Sequence, residues 1–199
     1  MPYSRTSLLG VAILAIAALV TIGYAEPASP ESAPLQFVDL DGKAVDFADI
    51  AGDAATVVIF TRTDCPISNR YAPEVRRLYD EFHPRGVAFY LVYVDPREGP
   101  QDIRAHLKEY EYPCPALLDH DHLLVAATGA TVTPEAVVFA ANGTRTYRGR
   151  IDDLYADLGA SRSAPTTHDL SDAIEATLAD KPAADPETKA VGCLIADLK

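Results

Sequence analysis

The chain has 199 residues, the length of about one domain, and carries 29 acidic against 17 basic residues for a net charge of -12. That balance excludes a nucleic-acid binder and a polybasic membrane-surface protein, which both need clustered cations. Hydrophobic residues make up 48%, enough for a core and too many for a disordered chain, and three scattered cysteines without a CxxC pair exclude a disulfide framework and a structural zinc site.

The N-terminal residues read as a targeting segment: Arg5, an apolar run from Leu8 to Val20, and small residues at Gly23-Tyr24-Ala25 before Glu26. An uncleaved anchor over residues 8–25 is the alternative, because the apolar stretch approaches the ~20 residues of a membrane span. Both readings export the domain to the periplasm or the outer face of the cytoplasmic membrane, where disulfides persist. The expected organisation is a signal or anchor over 1–25, a linker over 26–34, a folded domain over 35–180, and a tail over 181–199.

Leu35–Leu40 and Ala44–Phe47, joined by Asp41-Gly42, read as a hairpin. Thr56–Thr61 is a nearly continuous β-branched and apolar run, the pattern of a buried central strand. A helix opens at Pro66, with Ile67, Tyr71, Val75, Leu78 and Phe82 on one face and a kink expected at Pro73. Val87–Val94 is a second buried strand and Asp102–Tyr110 a helix. Ala116–Leu118 is a short strand and Asp121–Ala127 a short helix. Glu135–Ala140 and Arg145–Arg150 form a second hairpin about Asn142-Gly143. A loop containing Asp152-Asp153, expected to be solvated, runs to Thr166. There a capping-box-like Thr166–Asp169 starts a helix reaching Ala179. The alternation predicts an α/β domain with a central mixed sheet flanked by helices.

Cys65 falls between a buried strand and a helix whose first residue is Pro66, at or near the N-cap. Free amide N–H groups at a helix start favour a thiolate, the nucleophilic form of cysteine. The bland alternative is a small buried hydrophobe. The next-turn residue is Ser68, which can donate a hydrogen bond to Cys65 but cannot form a disulfide with it. A second sulfur must therefore come from elsewhere. Adjacent Asp64 is expected to raise the thiol pKa through its charge. Thr133-Pro134 precedes a strand, where proline is confined to an edge or a special turn.

A strand–Cys-Pro–helix unit followed much later by Thr-Pro before a hairpin resembles the thioredoxin superfamily. The runs Cys65–Leu78 and Tyr147–Asp153, with the ending Gly192-Cys193-Leu194, are similar to exported bacterial redoxin-domain proteins of the AhpC/TSA and TlpA-like branch. The resemblance covers about residues 35–195. It implies a thioredoxin-like fold with a redoxin-type helix–strand insertion over about 100–128. It also implies a cis Pro134 and a Thr133 backbone presented to a bound thiol or peptide. The chain departs from the pattern in two places: Ser68 replaces the second cysteine of thioredoxins, and Arg62 stands where peroxiredoxins carry Thr or Ser. The resemblance thus implies an exported thiol-disulfide oxidoreductase acting through Cys65, with a thiol peroxidase as runner-up.

Cys193, beside Val191, Leu194 and Ile195, is a candidate resolving thiol; packing or a disulfide with Cys114 are the alternatives. Cys114 reads as a buried, inert thiol. His120-Asp121-His122 has metal-ligating residue types, and a copper-handling accessory domain using Cys65 with His120 or His122 is the non-enzymatic alternative. An Asp-rich turn is the simpler reading, so no metal and no cofactor is expected. The catalytic candidates are Cys65, Ser68, Thr133, Pro134 and Cys193. Expected partners are protein or small-molecule thiols and disulfides, with peroxide as the alternative, no nucleic acid, and membrane only through residues 8–25 if the signal is uncleaved.

Overall fold

The computed structural model describes Met1 and residues 36–195. The expected targeting segment and linker lie outside the described residues, as does the chain beyond Ile195. Among the described residues no helix is long and apolar enough to cross a membrane.

The chain runs β1 (Gln36–Asp39), β2 (Ala44–Asp46), β3 (Ala55–Thr61), α1 (Pro66–Arg70), α2 (Ala72–Phe82), β4 (Val87–Tyr93), α3 (Pro100–Glu109) and β5 (Ala116–Leu118). It continues with α4 (Leu123–Thr128), β6 (Val132–Thr133), β7 (Glu135–Ala140), β8 (Arg145–Gly149), β9 (Tyr155–Asp157), β10 (Ala160–Ser161), α5 (Asp169–Leu178) and β11 (Cys193–Leu194). The central sheet has the order β2-β1-β5-β4-β3-β7-β8. β3, β4 and β5 are parallel; β1 pairs antiparallel with β5, β7 with β3, and β8 with β7. This is a thioredoxin-like mixed sheet, with α3 and β5 as the inserted helix–strand pair.

Every residue of β3 is buried because both sheet faces are covered. Val57 and Ile59 face one core with Val75, Leu78 and Phe82 of α2 and Leu170 and Ile174 of α5. Val58 and Phe60 face the other, with Phe37, Ile50 and Leu124. The period of two along the strand thus divides one apolar run between two cores.

Four expectations need correction. The helix after Cys65 breaks at Tyr71, which caps α1 and opens α2, rather than kinking at Pro73. Pro73 then sits in the first turn of α2, where a missing N–H costs nothing. The expected capping box at Thr166 does not form: α5 starts at Asp169 with no side-chain cap. The Thr166 N–H and hydroxyl and the Thr167 N–H donate to Asp153 instead. Asp152 and Asp153 are therefore buried rather than solvated. Asp152 accepts from the Tyr71 hydroxyl at 2.6 Å and the Leu154 N–H at 2.8 Å, which offsets its desolvation. The stretch expected to be a plain loop also holds the β9–β10 hairpin.

The tail is laid along the domain. The Arg148 N–H donates to Pro186 and the Thr188 N–H to Arg148, extending the sheet past β8. Glu187 pairs with Arg145 and Arg148. The Thr188 hydroxyl lies 2.6 Å from the Tyr147 hydroxyl and accepts from the Arg150 N–H. Gly149, at φ +156, permits this approach, since a Cβ there would stand 2.1 Å from Thr188 Oγ1. Beyond this anchor β11 pairs antiparallel with β6, matching Cys193 to Thr133 and Leu194 to Val132. Ile195 donates its N–H to Thr131 and is buried in the second core.

Candidate active site

Cys65 is the N-cap of α1 in extended conformation, and its sulfur accepts from the Ser68 N–H at 3.5 Å. This is the geometry by which Ser or Thr caps a helix, with sulfur as the acceptor. α1 has only five residues, so the local N–H favours a thiolate more than any macrodipole does. The Ser68 hydroxyl is buried without a hydrogen-bond partner, as is that of Thr133. Ser68 meets Cys65 through its backbone N–H.

Two elements distant in sequence close over the sulfur. The Thr133-Pro134 bond is cis, and the Cys65 thiol donates to the Thr133 carbonyl at 3.0 Å. Cys193, carried in by β11, places its sulfur 2.7 Å from that of Cys65, across 128 positions of sequence. All three cysteines are free thiols, and Cys65 is completely buried beneath this arrangement.

The two sulfurs differ in acidity. Burial pushes Cys65 up, but hydrogen bonds from Cys193 and Ser68 outweigh it and leave the thiol below its ordinary value. The Thr133 carbonyl accepts only from the protonated thiol and so opposes ionisation. Burial and the neighbouring Cys65 push Cys193 up to about 12. Of the two sulfurs, Cys65 is therefore the more readily ionised and Cys193 the one that holds its proton.

Around the sulfurs lies a charged rim. Arg62 forms a two-pronged pair with Asp64 at 2.5 and 2.9 Å, which holds the Asp64 carboxyl below the usual carboxylate range. The Asp64 charge, expected to raise the Cys65 pKa, is thus largely neutralised by Arg62. Arg97 pairs likewise with buried Asp95. Asp64, Asp95 and Glu98 bring carboxylate oxygens within 4.8 Å of one another, and Glu74, Asp152 and His168 form a second such group. Neither group contains His120 or His122. His122 contacts the Val94 carbonyl, so the motif that suggested copper joins no ligand cluster with Cys65 among the described residues.

Cys114 lies in the first core, and burial pushes its thiol up to about 12. Arg148 binds the Gly129 carbonyl and Glu187, and Arg150 binds Asp169 and Thr167. Sequence reasoning missed Asn69, Glu98 and His106, which surround the loop leading to Cys65. Only Asn69, within the helix after Cys65, gave a local signal; Glu98 is an ordinary acidic residue in the loop before α3, and His106 an ordinary polar residue on α3.

Residues 28–148 match the family model described as AhpC/TSA family. The chain belongs to the AhpC/TSA family. Among solved structures, it is similar to an uncharacterized conserved protein from Geobacillus kaustophilus, at 28% identity and TM-score 0.72 over 82% of this chain and 88% of that one. A hypothetical protein from Sinorhizobium meliloti 1021 has 23% identity and TM-score 0.71 over 82% and 90%. A secreted Mycobacterium tuberculosis disulfide oxidoreductase homologous to E. coli DsbE has 19% identity and TM-score 0.51 over 74% and 96%, and shares the fold. A comparison with curated proteins found no match. The AhpC/TSA match ends at Arg148, so the strap from Pro182 to Ile195 that brings Cys193 to Cys65 lies outside the matched region.

Proposed function

We propose that this AhpC/TSA-family chain is an exported thiol-disulfide oxidoreductase in which Cys65 attacks and Cys193 resolves. The observation that carries the reading is the 2.7 Å approach of the two sulfurs, brought about by pairing of β11 with β6. Export is inferred from the N-terminal apolar segment. In the forward direction the Cys65 thiolate attacks one sulfur of a partner disulfide, forming a mixed disulfide and releasing the other partner sulfur as a thiolate. Loss of the Cys65 charge then removes one cause of the raised Cys193 pKa, so Cys193 ionises more readily. Its thiolate attacks Cys65, forms the Cys65–Cys193 disulfide and releases the second partner thiolate. The partner has gained two electrons and the enzyme has lost two, which an external thiol restores. Ser68 and Thr133 frame the sulfur, and Pro134 shapes the loop against which the partner docks.

Non-reducing mass spectrometry of the exported protein tests the reading. The oxidised chain should lack two thiol protons and yield a joined Cys65–Cys193 peptide. Cys65→Ser should abolish reduction of a model disulfide, and Cys193→Ser should accumulate mixed disulfides on Cys65. Unchanged turnover in Cys65→Ser would overturn it. The second reading is a thiol peroxidase, favoured by the unpartnered buried hydroxyls of Ser68 and Thr133 beside Cys65. There, peroxide oxidises Cys65 to sulfenic acid and leaves as an alcohol or water. Cys193 then condenses with it, releasing water. Stopped-flow peroxide consumption no faster than that of free cysteine would eliminate that reading.

A further inference from the structure

Thr63 stands two residues before Cys65, and all of its polar groups are taken. Its N–H and hydroxyl donate to one oxygen of Glu98, at 2.6 and 2.7 Å, and its carbonyl accepts from the side-chain amide of Asn69 at 2.9 Å. Asn69 lies four residues after Cys65 and also donates its backbone N–H to the Cys65 carbonyl at 3.0 Å. Its side-chain oxygen is 2.8 Å from His106 Nε2, and His106 Nδ1 is 2.8 Å from the Tyr93 hydroxyl.

The proton positions in this chain are forced. A carbonyl only accepts, so the Asn69 amide must point its NH2 at Thr63 and its oxygen at His106. That oxygen also only accepts, so His106 carries its proton on Nε2 and takes the Tyr93 hydroxyl proton at Nδ1. Every link then donates in one direction, from Tyr93 through His106 and Asn69 to Thr63 and on to Glu98. Strand β4 supplies the start. The segment bearing Glu98 and α3 supplies both jaws, one on each side of the loop. His106 is buried, with its ring against Tyr93, Tyr110 and Tyr112. A histidine retained for packing alone would not need both ring nitrogens committed to a chain ending beside the nucleophile.

We infer that His106 and Asn69, working against Glu98, are positioning residues that clamp Thr63 and thereby aim the Cys65 sulfur at the Ser68 N–H and at Cys193. The inference rests on Cys65 being the reactive sulfur. Breaking the clamp frees the Thr63 carbonyl and lets the loop relax, which misaligns the sulfur from both partners. His106→Gln keeps a donor and an acceptor in nearly the same places, whereas His106→Phe keeps neither.

The test uses the full chain carrying Cys114→Ser. Two quantities are read: the glutathione equilibrium constant for the Cys65–Cys193 disulfide, and, with Cys193→Ser added, thiolate absorbance of Cys65 against pH. His106→Phe and Asn69→Ala should each lower the equilibrium constant roughly threefold to tenfold, the scale of one or two hydrogen bonds, and move the thiolate titration upward. His106→Gln should stay within about twofold of the parent. Folded His106→Phe and Asn69→Ala proteins with the parent's constant and titration would overturn the clamp. If those two variants fail to fold, Tyr93→Phe and Thr63→Val each remove a single hydroxyl. Both should move the titration in the same direction by less, and a parent-like titration in both would overturn the inference. A parent that never reduces a model disulfide defeats the oxidoreductase reading alone, because the titration shift is read without turnover.

Discussion

Protonation of single side chains decides much of the chemistry here. His106 is neutral in the fold, with burial lowering its pKa to about 4 from an ordinary 6.5. The unfolded chain therefore binds a proton that the native state refuses between those values. The His106 contribution is complete above about pH 6.5 and is lost as pH falls towards 4. The ring faces the Tyr93 and Tyr112 phenols, which burial pushes further above their ordinary value, the Tyr110 ring and the Asn69 amide. Glu98 and Asp152 act with the opposite sign, since burial raises both carboxyls and favours their protonated forms as pH falls. The difference between parent and His106→Gln isolates the histidine. Denaturant unfolding of the parent should weaken relative to the variant from pH 6.5 to 4, and equal slopes in that window would count against a neutral buried ring.

At the level of elements, β11 matters most and was least visible. Gly192 sits where an added Cβ would stand 2.1 Å from the Thr133 carbonyl oxygen, a backbone atom that cannot move aside cheaply. Gly192→Ala should separate β11 from β6 and draw Cys193 away from Cys65. The disulfide equilibrium should fall by about tenfold or more, because the resolving thiol loses its tethered position. The fold itself should hold, since β11 and β6 form a separate two-stranded ladder and the seven-stranded sheet does not include them. A parent-like disulfide in Gly192→Ala would remove β11 pairing as the device that joins the sulfurs. The central strands were readable because burial on both faces leaves an unbroken apolar run, and α2 because its apolar residues recur at helical spacing. Cys65 was readable because Pro66 marks a helix start beside such a strand. β6 and β11 carry no periodicity in two residues each, and about sixty residues separate them. Buried Asp152 and Asp153 read as solvated because the hydrogen bonds that retain them come from Tyr71, Thr166 and Thr167.

The whole molecule places Cys65 under the segment that carries β11. The tail over 181–199 carries three lysines and three acidic residues, so attraction between net charges does not hold it. Strand pairing, the Thr188 anchor and the buried Ile195 do. Ending the chain at Asp180 gives up about 1.5–3 kcal/mol of Ile195 burial and about 1 kcal/mol for each lost anchor hydrogen bond. A domain typically has about 5–15 kcal/mol in hand. α5, which closes one core, remains intact. The shortened chain should therefore fold with a lower Tm, by about 2–4 °C for each kcal/mol lost. Its Cys65, completely buried in the full chain, becomes reachable beside an unpaired β6 edge. With Cys114→Ser in both proteins, iodoacetamide should modify Cys65 of the shortened chain more than about tenfold faster than Cys65 of a full-length Cys193→Ser chain, since the tail must open for access in the latter. Equal rates in two folded proteins would mean that something other than the tail governs access to the sulfur. A faster rate together with lost disulfide turnover would assign the tail both roles, cover and second sulfur.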